Sequence, residues 1–375
     1  MFQISSQFDG GNINVIDATS PSNIRLSIHK DHQSDFYQWF YFRLSNAKGQ
    51  LCVLHIENAG GAAYPKGWDN YQVAASYDRE HWFRVGTHYK DERLTIQHIP
   101  ETDCIYFAYF APYSLERHHD LIARVTQHDD VNLHVPGLTL DGRDIDLLTI
   151  GQAAADKKNI WVIARQHPGE TMAEWLVEGM LDRLLDSTDA LSRSLRERAV
   201  FHIVPNMNPD GSYRGHLRTN AAGINLNRQW DNPTVDTSPE VFFIRHRMIE
   251  TGVDMVLDVH GDEALPYNFI AGTEGIPDFS DRQRQLLFRF KNTLEKTNPD
   301  FQTQYGYPVN PAGKANLSFC SNQLAARFDC LAMTLEQPFK DTANTPQPET
   351  GWSPPRAKKL GASLLEATAD IIDVL

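Results

Sequence analysis

Hydrophobic positions change rhythm near residue 112. Before it, apolar runs are short, rich in aromatic and β-branched side chains, and cut by Asn, Gly and Asp: "FYQWFYFRLSN", "QLCVLHIEN", "YQVAASY", "HWFRVGTHY", "RLTIQHI" and "CIYFAYFAP". Such runs predict strands, and their close spacing predicts a small all-β sandwich domain over residues 1–112.

From residue 113 the texture becomes strand-helix alternation. Ser114 is placed to cap a helix through "LERHHDLIARV", and "LTLDGRDIDLLTI" predicts a hairpin turning at Asp141-Gly142. "NIWVIAR" lacks polar alternation, as a strand buried on both faces should, and "VFHIVPN", "DMVLDVH" and "CLAMTLEQ" are further strands. Thr171 with Glu174 forms a capping-box pattern ahead of an apolar stripe, Met172, Trp175, Leu176, Met180 and Leu184. Ser238-Pro239 starts a helix that Gly252 can end, and a closing amphipathic helix carries Leu360, Leu364, Leu365 and Ile371. The alternation predicts one α/β domain over residues 113–375 with a largely buried sheet.

Composition narrows the function. Lysine plus arginine against aspartate plus glutamate is 35 − 48 = −13, with no basic cluster to oppose that field. Binding to nucleic acid or an anionic membrane is therefore not expected. No window approaches 18 uninterrupted apolar residues, and the N-terminus lacks a basic start before an apolar stretch, so a cytoplasmic, unexported protein is expected. The four cysteines, Cys52, Cys104, Cys320 and Cys330, form no C-x-x-C pair and are expected to be reduced.

Candidate chemistry lies where two buried strands end. In "RQHPGE" the proline excludes the residue before it from a helix, so His167 ends its strand and shares a tight turn with Glu170. That turn sits at the carboxyl edge of the sheet, where open α/β folds bind ligands. H-x-x-E occurs three times, at His98/Glu101, His167/Glu170 and His260/Glu263, so the spacing alone means little. His98 falls in the β region beside Pro100, whereas the other two follow strands of one sheet. His167, Glu170 and His260 together supply the three N and O ligands of an open catalytic zinc site. Asp258, two residues before His260, is placed either to support it or to pair with a lysine.

"QHPGE", "PNMNPDG", "GINLNRQW", "DVHGDE" and "TLEQPF", in that order, resemble the zinc metallocarboxypeptidases, in particular their cytosolic carboxypeptidase branch. The resemblance covers about residues 113–375 and implies a mixed sheet flanked by helices, carboxypeptidase-like, with the β sandwich before it. It implies one Zn2+ per chain on His167, Glu170 and His260, and a peptide or protein C-terminal tail as substrate. Glu336 would be the general acid/base. Arg218 in "GHLRTN" would stabilise the oxyanion, and Asn227 with Arg228 would clamp the terminal carboxylate, for which the arginine fork is suited. Asn225 stands where the family often has an aspartate behind a ligand histidine, which predicts weaker support of that ligand. Tyr305 and Tyr307 offer no clear register for the family's substrate-closing tyrosine. The branch often trims acidic tails, and Lys314 or Arg327 could meet an acidic side chain. A zinc amidohydrolase of the aspartoacylase or desuccinylase kind, and a non-catalytic peptide-binding module, are the alternatives; a retained Glu336 argues against the module.

Overall fold

Nine short strands open the chain: Gln3–Ser5 (β1), Asn14–Asp17 (β2), Ile24–Ser27 (β3), Tyr41–Ser45 (β4), Cys52–Ile56 (β5), Val73–Ser76 (β6), Phe83–Lys90 (β7), Arg93–His98 (β8) and Cys104–Ala108 (β9). They come from a computed structural model that describes residues 2–375. The strands join in the order β1-β4-β9-β6-β7-β8-β5-β3-β2. β7 pairs with β6 through Phe83–Val85 and with β8 from Gly86 onward, so one long strand carries the sheet from one leaf to the other. Leu54, Ile56, Leu94 and Ile96 of one leaf and Phe42, Leu44, Ile105 and Phe107 of the other share one buried cluster, as alternating patterns require. The first three strands escape the sequence pattern because they are only three or four residues long, and β2 is exposed along most of its length.

Beyond Leu115–Val125 (α1) come Val131–His134 (β10), Leu147–Ile150 (β11), Lys158–Ala164 (β12), Met172–Leu184 (α2), Ala190–Arg198 (α3), Ala199–Val204 (β13), Pro209–Arg214 (α4), Pro239–Thr251 (α5), Met255–Val259 (β14), Phe269–Ala271 (β15), Asp281–Thr297 (α6), Cys320–Phe328 (α7), Leu331–Glu336 (β16) and Pro354–Ile371 (α8). Ser114 caps α1, its hydroxyl accepting from Arg117 N at 3.1 Å. The second sheet runs β10-β11-β13-β12-β14-β16-β15. Its four central strands are parallel, and antiparallel partners close both flanks. β13 lies on one side of β12 and β14 on the other. The chain therefore reverses its winding there and leaves a crevice beyond the carboxyl ends of β12 and β14.

Two local expectations need correction. The Asp141-Gly142 turn exists, with Gly142 at φ 80°, but a single bridge between Leu138 and Asp144 closes it. The ladder partners of β11 are β10 and β13. Nor do Thr171 and Glu174 form a capping box. The Thr171 hydroxyl donates to the Ala111 carbonyl at 2.9 Å, and the Glu174 carboxylate accepts from Arg165 at 2.7 Å and contacts His118 at 2.6 Å. Tertiary partners of opposite charge outcompete a local cap because a buried carboxylate without them is costly.

α2 backs the turn that holds His167 and Glu170, and α8 backs α2. The two helices touch backbone to backbone. A Cβ on Gly179 would lie 2.2 Å from the Lys358 carbonyl oxygen, and one on Gly361 would lie 2.0 Å from that of Leu176. All four cysteines are free, with Cys52, Cys320 and Cys330 buried. Among the described residues, no helix is long and apolar enough to cross a membrane.

His118 gives the fold a pH signature. It is buried between Glu174 and Asp146, at 2.6 and 2.9 Å. Burial pulls its imidazole down, but the two carboxylates outweigh that and raise it from 6.5 to about 9. A folded-state pKa above the unfolded one stabilises the fold fully below the unfolded value, and the gain is lost as pH rises through the folded one. Denaturation in urea is expected to show a loss on the order of 3 kcal/mol between pH 6.5 and pH 9.5 that is missing in His118→Gln. Parallel stability curves for the two proteins would exclude this role.

Candidate metal centre and active-site cleft

β12 leaves the sheet through Arg165, whose φ of 59° is left-handed. Its buried guanidinium holds the turn it creates, donating to the Pro168 carbonyl at 3.0 Å, the Tyr113 carbonyl at 2.8 Å and Glu174 at 2.7 Å. Gly169 follows because the Leu217 carbonyl oxygen would lie 3.0 Å from any Cβ there. Proline and glycine thus keep His167 and Glu170 out of the helix and let a neighbouring loop press against them. β14 delivers His260 from the adjacent strand, its backbone N–H bonded to Leu335 of β16 at 2.8 Å.

Glu170 lies between the two histidines, with Oε1 at 2.7 Å from His167 Nδ1 and Oε2 at 2.8 Å from His260 Nδ1. The two Nδ1 atoms are 3.1 Å apart. Among the described residues these three form the group with metal-ligand chemistry, their donor atoms lying within 4.8 Å of one another. Each histidine turns its far nitrogen to an outer group. His167 Nε2 meets Asn225 Oδ1 at 3.0 Å, while His260 Nε2 lies 3.0 Å from Asp258 Oδ2, a contact through charge. Gln166 fixes Asp258 at 2.7 Å and accepts from Trp230 at 2.8 Å. Near nitrogen inward and far nitrogen on an oxygen is the arrangement that holds imidazole ligands in one tautomer. The donor set, two imidazoles and a carboxylate, fits zinc with an open position. Asn225 thus takes the supporting position despite its missing charge, and Asp258 supports His260 rather than a lysine.

Electrostatics sorts the protons of the three ligands. Burial, helped by Arg218, pushes His167 down to about 4, so it is neutral. Burial acts on His260 in the same sense, but Asp258 and Glu170 overcome it and hold the imidazole well above its ordinary range. Glu170, although buried, stays ionised because both histidines pull its pKa down.

Glu336, Arg218, Asn227 and Arg228 line the same cavity of about 660 Å³ as the three ligands. Glu336 ends β16 opposite Phe269, and its buried Oε2 has no hydrogen-bond partner. Burial first, then Glu170 and Asp262 against the opposing pull of His260, raise it to about 8. The Arg218 guanidinium sits 5.3 Å from the Tyr64 ring and 5.6 Å from that of Phe36. Arg228 stacks 3.6 Å over Phe319, and burial with the nearby Arg218 charge lowers it to about 10, still cationic at neutral pH. Asn227 is engaged at both ends, with Nδ2 3.2 Å from His260 Nε2 and Oδ1 accepting from Cys320 N at 2.8 Å. Lys314 lines the cleft, as does Lys291; Arg327 does not. Tyr307 also lines it, its hydroxyl donating to Asp262 at 2.5 Å. No local signal in the sequence singles out that pairing. His98, by contrast, bonds the Tyr77 hydroxyl at 3.0 Å and packs against the Phe83 and Phe107 rings of the first sheet.

A two-histidine, one-glutamate centre at the switch point of a mixed α/β sheet defines a mononuclear zinc hydrolase. Residues 4–110 match the cytosolic carboxypeptidase N-terminal domain, and residues 119–313 match the zinc carboxypeptidase family. The chain belongs to the zinc carboxypeptidase family, with His167, Glu170 and His260 as its zinc site. It is similar over 100% of its length and 99% of the other chain to a metallo-carboxypeptidase from Burkholderia cenocepacia, at 47% identity and TM-score 0.96. A metallo-carboxypeptidase from Pseudomonas aeruginosa in complex with (2-guanidinoethylmercapto)succinic acid is 44% identical over 99% of both chains, with TM-score 0.96. An uncharacterized protein of Zymomonas mobilis is 53% identical over 100% of this chain and 97% of its own length.

Proposed function

We propose that this zinc carboxypeptidase acts in the cytoplasm on peptides or protein tails and prefers an acidic last residue. We divide it into an N-terminal domain, residues 1–112, and a catalytic domain, residues 113–375. One observation carries the proposal: Glu336, Arg218, Asn227 and Arg228 line one cleft with the zinc ligands, together with Lys291 and Lys314. When bound, zinc supplies Lewis acidity toward a carbonyl oxygen and a water. Glu336 is the proton carrier; its carboxylate takes a proton from the attacking water and returns it to the departing amine. Arg218 faces the oxyanion as a fixed cation. Arg228, held flat against Phe319, takes the terminal carboxylate, and Asn227 beside it links that clamp to His260. Lys291 and Lys314 provide charge for an acidic side chain; Glu274 on the same wall offsets part of it.

The test is a peptide library differing in its last residue, Glu, Asp, Leu or Lys, with products read by mass spectrometry alongside metal analysis. Single-residue removal with Glu and Asp ahead is the expected result. Equal rates for all four ends would remove the acidic preference. Hydrolysis of N-acyl amino acids with the peptides untouched would replace the carboxypeptidase reading by the amidohydrolase one.

A further inference from the structure

Arg218 is placed from outside the catalytic sheet. The loop that carries it, residues 215–219, rests on the N-terminal β domain, and the contact centres on one buried carboxylate, Asp31. Its Oδ1 accepts from Leu217 N at 2.7 Å, and its Oδ2 accepts from Arg218 N at 2.8 Å, Thr219 N at 2.9 Å and the Thr219 hydroxyl at 3.0 Å. Three consecutive backbone N–H groups on one carboxylate fix the path of the chain through Arg218. Charge-assisted bonds of this kind are about twice as strong as neutral ones.

Other residues of the N-terminal domain supply the rest of the cradle. His32 N donates to His216 Nε2 at 3.0 Å, while His216 Nδ1 meets the Thr219 carbonyl at 2.9 Å. Asn12 Nδ2 donates to the Gly215 carbonyl at 2.9 Å. Phe36, whose carbonyl accepts from Asp31 N at 2.8 Å, and Tyr64 are the two rings beside the Arg218 guanidinium. The backbone just after Asp31 also presses on the clamp loop. A Cβ on Gly223, which has φ 75°, would lie 2.5 Å from the Gln33 carbonyl oxygen.

We infer that Asp31 is a positioning residue for Arg218, and that the N-terminal domain completes the active site by fixing that cation. The inference rests on the carboxypeptidase reading of Arg218. A guanidinium can stabilise a developing charge only from a preset position, and a displacement of about 1 Å costs about 10²-fold in rate. Asparagine at position 31 keeps the size but turns an amide toward donors that need an acceptor. Asp31→Asn therefore lowers kcat/KM by about 10–100-fold, mainly through kcat, with zinc content unchanged.

The test is a double-mutant cycle in the full-length protein, combining Asp31→Asn with Arg218→Ala. It is read both as kcat/KM on C-terminal peptides and as calorimetric affinity for (2-guanidinoethylmercapto)succinic acid. With Arg218 already removed, Asp31→Asn is expected to cost less than about threefold in either readout. Equal losses in both backgrounds would make Asp31 a general stabiliser and overturn the inference, as would full activity in Asp31→Asn alone. Should Asp31→Asn fail to fold, Thr219→Val, which removes one of the four bonds, takes its place in the cycle and the same criteria apply. Wild-type protein that binds zinc but cleaves no peptide would instead sink the functional reading; the cycle is then decided on affinity alone.

Discussion

Glu336→Gln is expected to lower kcat by about 10²–10⁴-fold while the protein still binds one zinc per chain. The amide has the shape of the carboxyl group but cannot carry a proton between water and amine. Zinc should stay because the metal-ligating group consists of His167, Glu170 and His260, without Glu336. The carboxyl group is suited to the task. Burial and the neighbouring Glu170 and Asp262 charges raise it to about 8 in the metal-free protein, and its Oε2 has no competing hydrogen bond. A carboxyl group tuned close to the working pH can both accept and return a proton, which an ordinary surface glutamate does poorly. Turnover of peptides measured beside zinc content separates the outcomes. Retained turnover removes Glu336 from the mechanism, and loss of zinc together with turnover would make it part of the metal site.

How much of this was legible depends on whether a residue's partners are local. His167, Glu170 and His260 could be read because each follows an apolar run that only a buried central strand explains, and strand ends of one parallel sheet meet at its edge. The capping box at Thr171 failed for the opposite reason. Its side chains had stronger partners outside the helix: Ala111 and His118, 60 and 56 positions away, and Arg165, 9 positions away. Asp31 is the extreme case. In "HKDHQSDF" it looks like an ordinary turn residue, and its four donors lie 186 to 188 positions away. The joining of nine strands through β7 is hidden in the same way, since register is set by pairing and by the turn between strands rather than by composition.

Removing zinc should abolish turnover, by more than about 10³-fold, yet leave the protein folded, and the affinity for zinc should climb with pH. Glu170 lies 2.7 Å from His167 and 2.8 Å from His260, so the ligand group is held together by its own contacts. His260, held protonated by Asp258 and Glu170, puts a proton on the face where zinc binds. Zinc must displace that proton. It also adds two positive charges beside Glu336, which at neutral pH is largely protonated with a pKa of about 8. Each proton released on binding raises the apparent affinity about tenfold per pH unit. Both groups have raised pKa values, so the gain runs upward from acid pH, and the Glu336 share ends once pH passes 8. Competition against a chelator at pH 6, 7 and 8 should give between one and two protons released, with melting curves showing a folded metal-free chain at each pH. Affinity that stays level across that range would mean that His260 and Glu336 release no proton when zinc binds, and would overturn this coupling.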